Sequence, residues 1–171
     1  MHEITLKKSL RYTAFLLIIA VGFSFAVLSR GTSIETEEIK LYFVDAQMLR
    51  LVPVKMSIPK MPPQKQAKRV LEELIEGRDD NPKIRRLIPK DKGCMTVKVK
   101  NKIAYVDINS EMMEAVPDGR DLEELTVYSI VNTLTGLNGI VNVRFTINGE
   151  TQREFKGYID MRETFIPDYF V

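Results

Sequence analysis

The chain has 171 residues, 44% of them apolar and 28% charged, a balance that suits one folded domain with a core and excludes a disordered chain. A single cysteine, Cys94, and a single histidine, His2, exclude an internal disulfide, a Cys/His zinc site, a Cys–His catalytic pair and a Ser-His-Asp triad. The net charge of +2 vanishes beyond residue 28, where 22 basic residues stand against 22 acidic ones, so no nucleic acid is expected as a partner and no cofactor motif is present.

Residues 1–11 carry Lys7, Lys8 and Arg11 and precede an uncharged run, Tyr12 to Leu28. Its length of 17 residues corresponds to roughly 25 Å of helix, enough to span a hydrocarbon core. The basic flank places the N-terminus in the cytoplasm, predicts a single-pass anchor over 12–28, and puts the rest of the chain outside the cell membrane. The alternative is a cleaved signal peptide with Ser24 and Ala26 as the small residues; Phe25 and the long apolar run favour retention. Residues 29–38 then read as a linker that lifts a domain spanning 39–160 off the bilayer.

"IKLYFVDA" and "LRLVPVKMSI" are rich in β-formers and predict two neighbouring strands, the second an edge strand interrupted at Pro53. The period then changes. Ala67, Val70, Leu71, Leu74 and Ile75 form one apolar stripe, opened by Pro63 and closed by Gly77, which predicts an amphipathic helix. Residues 78–93 read as a loop punctuated by Pro82, Pro89 and Gly93, followed by a hairpin in which "MTVKVK" is wet and "IAYVDI" is buried, with Cys94 a small core residue at its start.

At the end of that hairpin Asp107, Asn109, Glu111 and Asp118 have the spacing of calcium-loop ligands. The sixth position, where such a loop needs glycine, is Met112, and the preceding element is a strand, so the residues are better explained as a strand end and a helix start. Asn109 or Ser110 is the expected cap and Glu111 the favourable first-turn acid. A second amphipathic helix opens at Asp121 with Glu124 completing a capping box, and Val127, Ile130, Val131 and Leu134 supply its stripe. "VNVRFTI" alternates as a strand and Asn148-Gly149 predicts a hairpin returning along "TQREFKGYI". The extension 161–171 carries Phe165, Ile166, Tyr169 and Phe170, suited to docking on the domain or on a partner. The sum is an α+β domain of two layers, a mixed or antiparallel sheet packed against two amphipathic helices, preceded by a transmembrane helix.

Taken in order, "LYFVD", "LVPV", "LEELIEG", "LIP", "AYVDINSEM" and "VNTLTGLNGIVNVRFTINGE" resemble the sporulation and germination domain called GerMN, over roughly residues 39–160. The resemblance implies an α+β fold similar to the ring-building motifs of secretion-system proteins. It also implies an exported or anchored protein of Gram-positive, often spore-forming, bacteria, with a non-enzymatic role in envelope assembly, sporulation or germination. This chain departs from several relatives in having one copy of the domain and no lipobox cysteine.

The expected function is therefore an extracytoplasmic protein-interaction module, with other envelope proteins or a further copy as partner, and with an exposed sheet edge and membrane tethering as its means. Charge is segregated: residues 78–102 carry nine basic and three acidic side chains, residues 111–124 six acidic and one basic. Lys83, Arg85 and Arg86 are the candidate partner contact; no catalytic, cofactor or metal residue is expected. The alternative is a wall-binding module in which the same basic segment meets peptidoglycan or anionic wall polymer. Acid–base action on glycans by Glu111, Glu114, Glu123 or Glu124 would need two carboxyls held roughly 5–10 Å apart, which the sequence does not indicate.

Overall fold

The computed structural model describes residues 35–91 and 95–171. The anchor expected over 12–28, the orientation drawn from it, and Cys94 lie outside the described residues; among those described, no helix is long and apolar enough to cross a membrane. The element order is β1 (Thr36–Asp45), β2 (Leu51–Pro59), α1 (Pro63–Glu76), β3 (Ile84–Arg85), β4 (Met95–Lys100), β5 (Ile103–Ile108), α2 (Ser110–Ala115), α3 (Arg120–Thr135) and β6 (Asn142–Ile147). The class is α+β, as expected, but among the described residues the single sheet is replaced by two three-stranded sheets, ordered β2-β1-β3 and β4-β5-β6, and there are three helices. The strand β1 begins at Thr36, inside the stretch read as linker.

The β1–β2 ladder is antiparallel from Thr36↔Pro59 to Val44↔Leu51 and runs unbroken through Pro53. Pro53 lies opposite Tyr42, whose amide donates to Thr133 Oγ1 at 3.0 Å and whose carbonyl accepts from Ser129 Oγ at 2.6 Å. In this register the backbone groups of Tyr42 and Pro53 point away from each other, so the missing proline N–H costs no ladder bond and the expected interruption does not occur.

The helix α1 forms where its stripe predicts, with Pro63 at its start and Ala67, Val70, Leu71 and Leu74 buried. Its Gln64 side chain meets the outer edge of β4 as a strand would: Nε2 donates to the Val97 carbonyl at 2.8 Å, and Oε1 accepts from the Val99 amide at 2.8 Å. A helix side chain thus occupies the free edge of one sheet, and the hydroxyls of α3 occupy the free edge of β1 in the other. This is why the two sheets do not zip into one.

The hairpin β4–β5 turns at Asn101 and Lys102, both at positive φ (51° and 64°), the primed geometry that matches strand twist. The strand β6 pairs parallel with β5, after a crossover through α2 and α3. Its expected return strand is absent: Asn148-Gly149 does turn, but only Ile147 and Glu150 bridge before the chain leaves the sheet. The outer edge of β6 is taken instead by Phe165, whose amide and carbonyl exchange bonds with Val143 at 2.7 and 2.9 Å.

The helix α3 starts at Arg120 behind Gly119, with no side-chain cap, so Asp121 lies in the first turn rather than at the cap expected of it. It is buried on most of its circumference, not along one stripe. Ile130, Val131 and Leu134 join Leu41, Phe43, Val70, Val106 and Phe145 in a core shared by both sheets. Leu125 belongs to a smaller cluster with Tyr42, Val44, Leu51 and Leu87.

Candidate functional site

The basic segment divides between surfaces. Lys83 and Arg85 sit on and beside the two-residue edge strand β3, which pairs with Val44 and Asp45, and both side chains are exposed. Arg86 turns inward, where its Nη1 donates to the Glu76 carbonyl at 2.7 Å and the Ile75 carbonyl at 3.4 Å. It thereby satisfies the last turn of α1, the end that favours a cation. Its fit is close, since a Cβ at Gly77, already at φ 76°, would lie 3.3 Å from Arg86 Cδ. Lys83 and Arg85 make no ion pair among the described residues, whereas Arg86 approaches Asp79 at 3.8 Å. Of the three predicted contacts, two are free and one is structural.

Lys90 pairs with Glu76 at 2.5 Å, while Lys98 and Lys100 stand exposed on the first strand of the second sheet, β4. There the register aligns Lys98, Tyr105 and Arg144 in one row across three strands.

The carboxylate of Asp107 accepts from Thr146 Oγ1 at 2.6 Å and from the Gly149 amide at 2.7 Å, tying β5 to the turn after β6. Asn109 caps α2, its Oδ1 accepting from the Met112 amide at 3.2 Å, and Glu111 lies in the first turn. Asp118 pairs with Lys156 Nζ at 2.7 Å. Each of the four residues that suggested a calcium loop therefore has a place in capping, turn closure or ion pairing.

Glu123 is fully buried, and its Oε1 accepts from the amides of Lys156, Tyr158 and Ile159 at 2.6, 3.3 and 3.3 Å. It holds the irregular segment that follows β6, whose Phe155 and Met161 enter the core. This is a latch rather than a cleft carboxylate. Farther along, Arg162 grips Asp160 through both carboxylate oxygens at 2.5 to 3.2 Å, and these hydrogen bonds pull the Asp160 pKa from 3.8 down to about 2. Because the folded value is depressed, the pair favours the folded state above pH 3.8, and that contribution is lost as pH falls toward 2. We expect Arg162→Gln to return the Asp160 midpoint toward 3.8, followed by NMR titration of its carboxyl.

The C-terminal extension docks on the domain. The Phe165 ring packs edge-on against Phe145 and Tyr128, with centroids 5.4 and 6.1 Å away, and Tyr169 lies 5.6 Å from Tyr42. The buried Asn132 amide embraces the Asp168 peptide, donating to its carbonyl at 2.5 Å and accepting from its amide at 3.0 Å. The Leu51 amide donates to the Val171 carbonyl at 3.0 Å, which covers one end of the β2 edge. Between Pro53 and Pro59 the outward register of that edge leaves N–H donors only at Lys55 and Ser57. An added strand would find two donors there, so side-chain surfaces offer more to a partner than this edge does.

The β1–β2 turn closes on Asp45, whose carboxylate accepts from the Leu49 amide at 2.9 Å while its carbonyl accepts from the Met48 amide at 3.0 Å. Met48 is held at φ 58°, and both Met48 and Leu49 project into solvent. Beside them stands Phe170, wholly exposed yet fixed by the Asp168 carboxylate, which accepts its amide at 2.9 Å. Sequence reading missed this apex because its members lie some 120 residues apart.

Over residues 40–153 the sequence matches the Germane family, described as sporulation and spore germination. The fold is similar to that of the tandem GerMN domains of the sporulation protein GerM from Bacillus subtilis, with a TM-score of 0.62 and 24% identity over 77% of this chain and 46% of that one. This chain therefore spans less than half the length of that relative. The first GerMN domain of the same protein gives 0.58 with 21% identity, over 77% of this chain and 97% of that one. A candidate lipoprotein from Clostridium perfringens gives 0.55 with 20% identity, over 78% and 89%. No curated protein matches the chain.

Proposed function

Because this chain belongs to the Germane family of sporulation and spore germination, we propose that its domain is a non-enzymatic interaction module of the Gram-positive envelope, held outside the cell by the apolar segment Tyr12–Leu28. The observation that carries the reading is the edge strand β3, on and beside which the exposed Lys83 and Arg85 make no ion pair among the described residues. Charge placed this way steers encounter and fixes register between proteins more than it adds affinity. Tethering to one membrane raises the concentration of the module against its partners.

The test is brief crosslinking of intact cells in growth and in sporulation, followed by mass spectrometry of what the full chain retains. Recovery of other envelope proteins or further copies, joined through residues 35–160, is the expected result; recovery of the chain alone would reject the reading. The double substitution Lys83→Glu, Arg85→Glu is expected to abolish those crosslinks while moving stability by no more than about 0.5 kcal/mol, since both side chains are exposed.

A second reading, a wall-binding module, is favoured by the row Lys98, Tyr105 and Arg144 on the open sheet face, where two cations flank an exposed ring. Co-sedimentation with purified cell walls that weakens as salt rises would support it.

A further inference from the structure

The turn between β1 and β2 stands between two open clefts of opposite character. One, about 330 Å³, is bounded by Met48, Leu49, Leu125 and Phe170, with Asp121, Glu124 and Asp168 as its polar wall. The other, about 630 Å³, is bounded by Val52, Pro53, Val54 and Ile84, with Arg50, Lys83 and Asp45 as its charged groups; Arg50 pairs with the largely covered Asp45 at 3.4 Å, so one net positive charge remains on that side. An apolar apex therefore has an acidic flank on one side and a basic flank on the other. Single exposed apolar residues are ordinary, but Leu49 is 77% exposed and Phe170 100%, both on backbone pinned by carboxylates. Pinned backbone loses little further freedom on association, which lowers the cost of burying the side chains it carries.

We propose that this end of the domain pairs with a second copy of the chain about a two-fold axis through the Met48–Leu49–Phe170 apex. The argument is one of self-complementarity. In an isologous contact the same patch serves both partners, so a surface with acid on one side and base on the other matches itself after a half turn. The acidic flank of each copy then meets the basic flank of the other, twice. Leu49 and Phe170 lie at the axis, so those of each copy pack against those of the other. This rests on the interaction-module reading and names its partner.

The experiment is sedimentation equilibrium of the full chain in detergent, with four variants. The unaltered chain should dimerise, and Leu49→Ser, Phe170→Ser should weaken that roughly tenfold or more, the loss expected of a buried apolar anchor. Reversing the basic flank (Arg50→Glu, Lys83→Glu) or the acidic flank (Asp121→Lys, Glu124→Lys) should each abolish the homodimer. Mixing those two variants should restore pairing as a heterodimer, because both contacts again join opposite charges, and combining all four changes in one chain should restore the homodimer. A monomeric unaltered chain, or a dimer indifferent to these changes, would overturn the proposal. So would a monomer that still crosslinks through the apex to a different envelope protein, which would leave the interaction-module reading intact and give the apex to that partner.

Discussion

Replacing Glu123 with alanine is expected to destabilise the domain by about 3–5 kcal/mol, because a buried partner is removed and the groups it satisfied are left behind. Its Oε1 is the acceptor for the amides of Lys156, Tyr158 and Ile159, and the segment they belong to carries Phe155 and Met161 into the core. Without that acceptor three amides must find water, and the two apolar anchors lose their alignment. Glu123→Gln keeps an acceptor oxygen where it is needed and places the amide NH2 at Oε2, which has no partner among the described residues. The glutamine variant should therefore keep more than half of the lost stability. Urea unfolding of both variants measures this; equal losses in the two would show that the cost comes from charge and not from the acceptor geometry.

Deleting residues 164–171 should cost about as much, about 3–5 kcal/mol, the range for truncating a packed aromatic, with hydrogen bonds lost in addition. The deletion removes Phe165 from Phe145 and Tyr128, uncovers the backbone of Val143 at the β6 edge, and leaves the Asn132 amide without the Asp168 peptide. The point substitution Asn132→Ala isolates the last of these and should cost about 1–3 kcal/mol, the desolvation penalty of unpaired backbone groups. A deletion variant with the unfolding midpoint of the intact chain would show that the extension rests on the domain without supporting it. Because Phe170 is wholly exposed, its substitution by serine should leave that midpoint unchanged, which separates the structural part of the extension from the apex proposed to pair.

The parts of this protein that the sequence determined are those whose cause is local. The helix α1 has its apolar stripe, its opening Pro63 and its closing Gly77 within a span of 15 residues, and it forms there. Asn109 caps α2 through an amide three residues away, and alternating Val97 and Val99 mark β4. The six ordered segments that resemble the GerMN domain lie within the region of the family match, so the family was legible as well.

Features that depend on packing have their causes far along the chain. Ser129, Asn132 and Thr133 have the composition of a solvated helix face, but bonds to Tyr42 and Asp168, 36 to 91 residues away, bury all three. Gln64 reaches β4 33 and 35 residues on, and Glu123 the loop after β6, also at 33 or more. A polar side chain carries no mark of whether water or a distant backbone will satisfy it. That choice settled why there are two sheets and not one, why β6 has no return strand, why Arg86 left the basic surface, and why Met48, Leu49 and Phe170 share an apex.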